Sequence, residues 1–107
     1  MTFGLSDRSV RTVQSILQQE PAVERAILFG SRAKGTHRPG SDIDLALVGP
    51  ELQHTALLRL MRAFADSSLP YTVDLAVWHL IEDPELRSHI DRRGVPFYER
   101  DLGRVRL

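Results

Sequence analysis

The period of the apolar positions changes along the chain, and each change marks a predicted element. Val10, Val13, Ile16 and Leu17 recur at helical spacing and form one stripe. Ser6 is placed to cap that helix, with Asp7 in its first turn, and Pro21 predicts an end near Gln19 or Glu20. The run Ala26-Ile27-Leu28-Phe29 is short, continuous and closed by Gly30, the pattern of a buried strand. From Ser31 to Gly40 the chain is polar and punctuated by glycine, which predicts a loop with room for one short helical turn. Ile43 to Val48 reads as a second strand, stopped by Gly49-Pro50. Helical spacing returns at Leu57, Leu60, Met61 and Phe64 and is broken by Ser67-Ser68-Leu69-Pro70. Thr72 to Trp78 alternates and is rich in β-branched residues, a third strand. Asp83-Pro84 opens a last helix, with Leu86 and Ile90 inward and Gly94 expected to end it in a left-handed conformation. Val95-Pro96-Phe97-Tyr98 fits an edge strand, because proline cannot donate to a central ladder, and Phe97 with Tyr98 would clasp this last segment. The charged tail from Arg100 to Leu107 is expected to be loosely held.

The elements in this reading are those of an α/β (α+β) chain, and 107 residues suffice for one domain, 1–107, with one core. Composition narrows its chemistry. The 14 basic and 14 acidic side chains cancel, which argues against binding driven by a nucleic-acid backbone. The absence of cysteine removes disulfides, thiol nucleophiles and cysteine zinc sites, and fits the cytoplasm. The first residues lack the pattern of a signal peptide, and no apolar run approaches the ~20 residues of a membrane span.

The candidate chemistry lies in the second strand and the loop before it. Side chains alternate across a strand, so Asp42, Asp44 and Ala46 share one face while Ile43, Leu45 and Leu47 point to the other, toward a helical layer. The third strand has the same phase: Thr72, Asp74 and Ala76 against Val73, Leu75 and Val77. If the two strands are neighbours, three carboxylates converge and raise each other's pKa, a repulsion that a hard divalent ion relieves. Oxygen-only ligands suit Mg²⁺ or Mn²⁺, and two such ions can clamp the attacking and leaving oxygens of an in-line displacement. Gly30-Ser31 lets the backbone approach a phosphate, and Arg32, Lys34 and Arg38 are cations close enough in sequence to meet a triphosphate. Taken singly, each feature has an ordinary explanation as a turn, a solvated loop or an edge-strand face. Their order, spacing and shared phase are what point to phosphoryl or nucleotidyl transfer. The histidines make no competing metal site: His37 reads as a solvated loop residue, and His54, His79 and His89 lie near element ends. Trp78, on the Asp74 face, reads as packing rather than as a base-stacking platform.

Gly30-Ser31, ten intervening residues, Asp42-Ile43-Asp44 and the later Asp74 resemble the signature of the DNA polymerase β-like nucleotidyltransferase superfamily. The wording Gly-Ser-Arg-Ala-Lys-Gly followed by Ser-Asp-Ile-Asp-Leu is most similar to its minimal nucleotidyltransferases, antitoxins paired with a helical HEPN-domain toxin. The resemblance runs from Ala22 to Tyr98. It implies a small mixed sheet with helices mainly on one face. It also implies that Asp42, Asp44 and Asp74 are catalytic and hold two Mg²⁺ ions, with Mn²⁺ as a substitute. Gly30 and Ser31 would hold the β- and γ-phosphates of ATP, and Arg32 and Lys34 would lie near the phosphates. The activity implied is transfer of AMP from ATP to a tyrosine hydroxyl of a HEPN RNase toxin. The shortness of the chain leads to the expectation that a partner, a dimer mate or the substrate supplies the acceptor surface, in a hetero-oligomer or a homodimer. Two other functions stay open at this level: an antitoxin that masks its partner without catalysis, and a transferase for a small molecule such as an aminoglycoside.

Overall fold

The computed structural model describes residues 3–100. Its elements, in chain order, are α1 (Asp7–Gln18), β1 (Arg25–Phe29), α2 (Ser31–Lys34), β2 (Ile43–Val48), α3 (His54–Ala65), β3 (Val73–Val77), α4 (Pro84–Arg93) and β4 (Val95–Glu99), with a 3-10 turn at Trp78–Leu80 between β3 and α4. One four-stranded sheet has the order β3-β2-β1-β4. β1 pairs antiparallel with β2 and with β4, and β2 pairs parallel with β3, so the sheet is mixed.

The local signals act as the sequence predicts at most boundaries. Ser6 Oγ accepts a hydrogen bond from the Ser9 amide at 3.1 Å and caps α1, a contact worth about 1 kcal/mol. Asp83 caps α4 through the Glu85 amide at 2.9 Å, with Pro84 at the first helical position, where its missing N–H costs nothing. β4 is an edge strand, and its pairing with β1 is interrupted by a bulge between the partners of Ala26 and Ile27, beside Pro96.

Ile43, Leu45 and Leu47 of β2 and Leu28 of β1 are fully buried, in one cluster with Val13, Ile16 and Leu17 of α1 and Leu60 and Phe64 of α3. These two helices therefore form the main layer on that face of the sheet. α4 takes part of the other face. A β-carbon at Gly94 would strike Ile27 Cγ2 and the Ile90 carbonyl, and Ile27 stands two residues from Phe29, the cross-strand partner of Asp44. The carboxylate end of that face is left open.

Four expectations change. Gly94 is not left-handed; its φ is −69° and ψ 151°, and glycine is required there by the close approach of β1 and α4. Met61 is half exposed, because the buried side of α3 runs through Ala56, Leu60 and Phe64. Trp78 leaves β3 for the 3-10 turn and packs its ring under the Arg87 guanidinium at 4.7 Å, consistent with a packing role. Arg100 is held tightly: it donates to the carbonyls of Val23 at 3.0 Å, Gln18 at 2.9 Å and Glu20 at 2.8 Å, which ties the end of β4 to the α1–β1 turn. The rest of the expected tail lies outside the described residues. Among those described, no helix is long and apolar enough to cross a membrane.

Candidate active site

The register of β2 and β3 places Asp44 directly beside Asp74. The two strands run parallel, so the matching phase read from the sequence becomes a shared face. Asp42 precedes β2 and lies on the loop; Asp42 and Asp74 are exposed, and Asp44 is half-buried. The three form one electrostatic group. The Asp44 carboxyl is pushed above its ordinary range, first by burial, then by the charges of Asp74 and Asp42, and also by a side-chain hydrogen bond with Asp74. The like charges of Asp74 and Asp42, though not the burial, are what a cation at these oxygens would relieve.

Gly30 closes β1 and caps α2 with φ 77° and ψ −154°, a region open essentially to glycine alone. A β-carbon there would strike Asp44 Oδ2. The glycine thus serves twice: it makes the turn, and it lets the carboxylate lie against the backbone. Ser31 and Lys34 begin and end the single turn of α2, with Ser31 half-buried and Lys34 exposed. The Ser31 carbonyl accepts from Thr36 at 3.0 Å, and Gly35, at φ 80°, reverses the chain after the turn.

The oxygen-only donor set and the raised Asp44 pKa suit a hard divalent ion. Among the described residues, no group of three histidine, aspartate or glutamate side chains is arranged to hold a metal ion; Asp44 and Asp74 supply two neighbouring carboxylates. Mg²⁺ is ordinarily held by one or two protein carboxylates, completed by waters and substrate phosphates. The structure brings Gly30, Asp44 and Asp74 together, with Asp42 on the adjoining loop and Ser31 on the turn beside Gly30.

Arg32 departs from expectation. The sequence placed it near phosphate, yet its side chain is only 2% exposed. Nη2 and Nε donate to the Ser41 carbonyl at 2.8 and 3.2 Å, Nη1 donates to the Phe3 carbonyl at 2.9 Å, and the guanidinium lies 4.7 Å from the centre of the Tyr71 ring. Hydrogen bonds from a charged group are worth about 1.5–3 kcal/mol, and withdrawing the guanidinium would leave its acceptors unpaired. The group is committed inside the protein. His37 is likewise half-buried rather than solvated: its ring packs on Gly4, and Nδ1 is buried without a hydrogen-bond partner. Tyr71 and Phe3 carried no sequence signal for a place beside the site, because their contacts with Arg32 span long separations in the chain.

The family model described as polymerase beta, nucleotidyltransferase matches residues 11–102. A curated Haemophilus influenzae relative, named Probable protein adenylyltransferase MntA, is 40% identical over 77 residues, covering 71% of this chain and 68% of its own. A solved toxin–antitoxin structure with AMP-PNP superposes with a TM-score of 0.70 at 25% identity, over 88% of this chain and 76% of that one. A Shewanella oneidensis complex of a tri-AMPylated HEPN toxin with its MNT antitoxin shares the fold, with a TM-score of 0.67 at 21% identity over 90% and 74% of the two chains.

Proposed function

The chain belongs to the polymerase β nucleotidyltransferase family, and on that premise we propose that it transfers AMP from ATP to a tyrosine hydroxyl of a HEPN toxin, as the antitoxin of the pair. The observation that carries the reading is the alignment of Asp44 with Asp74 across parallel strands, with the Gly30 backbone packed against Asp44. That arrangement puts clustered negative charge beside a turn whose backbone is free of side-chain bulk, as a metal-bound triphosphate requires. The name of the adenylyltransferase relative and the AMP-PNP in the solved toxin–antitoxin structure support ATP as the nucleotide.

Asp42, Asp44 and Asp74 would hold Mg²⁺, which when bound neutralises charge on the phosphates and on the oxygens of the displacement. Asp74, exposed on the edge strand β3, would accept the proton of the incoming hydroxyl. The acceptor oxygen then bonds to the α-phosphorus as the bond to the β-phosphate bridging oxygen breaks, and pyrophosphate leaves. Gly30 and Ser31 would bind the β- and γ-phosphates, which fixes the leaving group in line. Lys34, exposed on the same turn, would approach the phosphates, whereas Arg32, with its side chain buried, would not. The absence of cysteine is compatible with work in the cytoplasm.

The test is to incubate the protein with its genomic-neighbour toxin, ATP and Mg²⁺ and to weigh the toxin. An AMP adduct is expected on a toxin tyrosine, and chelation of the metal should abolish it. If no adduct forms and Asp42→Ala still neutralises the toxin, catalysis is not the mechanism and masking is.

A further inference from the structure

Asp44 and Asp74 are fixed by strand pairing, but Asp42 is not. β2 begins at Ile43, whose amide donates to the Thr72 carbonyl at 2.9 Å, and Asp42 sits on the loop just before that bond. What holds the other side of Asp42 is the turn Arg38–Ser41. There the Ser41 amide donates to the Arg38 carbonyl at 2.9 Å, and Ser41 Oγ accepts from the Arg38 amide at 2.8 Å. The Ser41 carbonyl, which belongs to the peptide bond that enters Asp42, is the acceptor that the Arg32 guanidinium grips with two N–H groups.

We infer that Arg32 is a positioning residue, which sets where Asp42 stands relative to the Asp44–Asp74 pair and makes no contact with the triphosphate. Its three attachments reach three separate segments: the Ser41 peptide next to Asp42, the Phe3 carbonyl near the start of the chain, and the Tyr71 ring three residues before Asp74. Arg32 itself lies in the one-turn α2 that follows Gly30. One rigid group therefore links the phosphate-side turn, the Asp42 loop and the approach to β3. Only arginine can do this. Its planar fork presents donors in fixed directions and stacks on a ring, whereas a lysine ammonium is a point charge on a flexible stem. The burial of the side chain is then part of its function, because a guanidinium shielded from water is tied firmly to its acceptors.

The inference rests on the reading of the carboxylates as a metal site, so the test reads metal affinity directly. Mn²⁺ binding to the chain is measured by electron paramagnetic resonance, without nucleotide or toxin, for the wild type, Arg32→Lys and Tyr71→Leu. Arg100→Lys serves as a control, since it alters a comparable set of carbonyl bonds at Val23, Gln18 and Glu20. Arg32→Lys should weaken Mn²⁺ binding about 10- to 100-fold, the range for groups that orient metal ligands. Tyr71→Leu should weaken it about 3-fold or more, and the control should not change it. In AMP transfer at saturating metal, Arg32→Lys should lower kcat and leave KM for ATP unchanged. Equal Mn²⁺ affinity in wild type and Arg32→Lys overturns the inference. So does a rise in KM for ATP alone, which would make Arg32 a phosphate ligand. If Arg32→Lys does not fold, Tyr71→Leu decides: unchanged Mn²⁺ affinity overturns the inference. A wild-type chain that binds no Mn²⁺ overturns the metal reading, and this inference with it.

Discussion

The two faces of β2 are built from alternate residues of one six-residue strand and its approach, yet they obey different rules. Ile43, Leu45 and Leu47 are fully buried against α1 and α3. Asp44, interleaved with them, lies on the side that α4 covers only farther along the sheet, and Asp42 is exposed on the loop just before the strand. The first face gains free energy by leaving water. The second half-buries a carboxylate and places like charges beside it, a cost visible in the raised pKa of Asp44. A strand keeps both because each side chain answers to its own face. Stability and chemistry can therefore be altered separately, one residue apart.

The sharpest way to break that comparison is to mutate each face in turn. Leu45→Ala should cost about 2–5 kcal/mol of folding free energy, measured by denaturant unfolding. Asp42→Asn should leave folding nearly intact and lower AMP transfer by about 100-fold or more, since even the residues that orient metal ligands carry effects of 10- to 100-fold. A large loss of stability in Asp42→Asn would show that the two faces are not independent. Gly30→Ala joins them. It should cost about 1–3 kcal/mol for its backbone conformation and also lower activity, because the new β-carbon displaces the Asp44 carboxylate. Activity that survives at the wild-type level would mean that Asp44 need not lie against that turn.

The smallest effect concerns protons. The folded protein holds a proton on Asp44 more tightly than the unfolded chain does, so this group's contribution to stability falls as pH rises from the ordinary carboxylate pKa to the raised one and stays low above it. The penalty is absent when pH falls below the ordinary carboxylate pKa, about 4. Asp44→Asn should therefore raise Tm by a small amount near neutral pH, and the gain should vanish in acid. A gain that is the same at both pH values would point to packing rather than charge. Mn²⁺ added to the wild type near neutral pH should produce a similar rise, because an ion bound only by the folded state stabilises it.

The second comparison in the molecule is between two arginines. Arg100 and Arg32 each spend a guanidinium on main-chain carbonyls, one at the α1–β1 turn and the other at the Asp42 loop. Neither role was legible in the sequence. Arg32 read as a loop cation near phosphate and Arg100 as part of a loose tail, because a side-chain donor's acceptor is a carbonyl far along the chain. Local signals fared better where the physics is local. The Ser6 and Asp83 caps, the bounds of β2 and the edge position of Pro96 follow from hydrogen-bond needs within a few residues. Gly94 shows the boundary between the two. Its presence is legible, but its cause is crowding by the distant Ile27 and by the Ile90 carbonyl rather than its own φ.

By itself, the sequence determined the alternation that sets Asp44 on the opposite side of the strand from Ile43 and Leu45 and gives Asp74 the same phase, because side-chain direction in a strand depends only on residue parity. It also determined the spacing that carries the family resemblance. The tertiary structure decided what parity cannot: that β2 and β3 are parallel neighbours in a register that sets Asp44 beside Asp74, that Gly30 lies against Asp44, and that Arg32 turns inward to the Asp42 loop. Those are contacts between segments far apart in the chain, fixed only when the apolar face of the sheet closes on its helices.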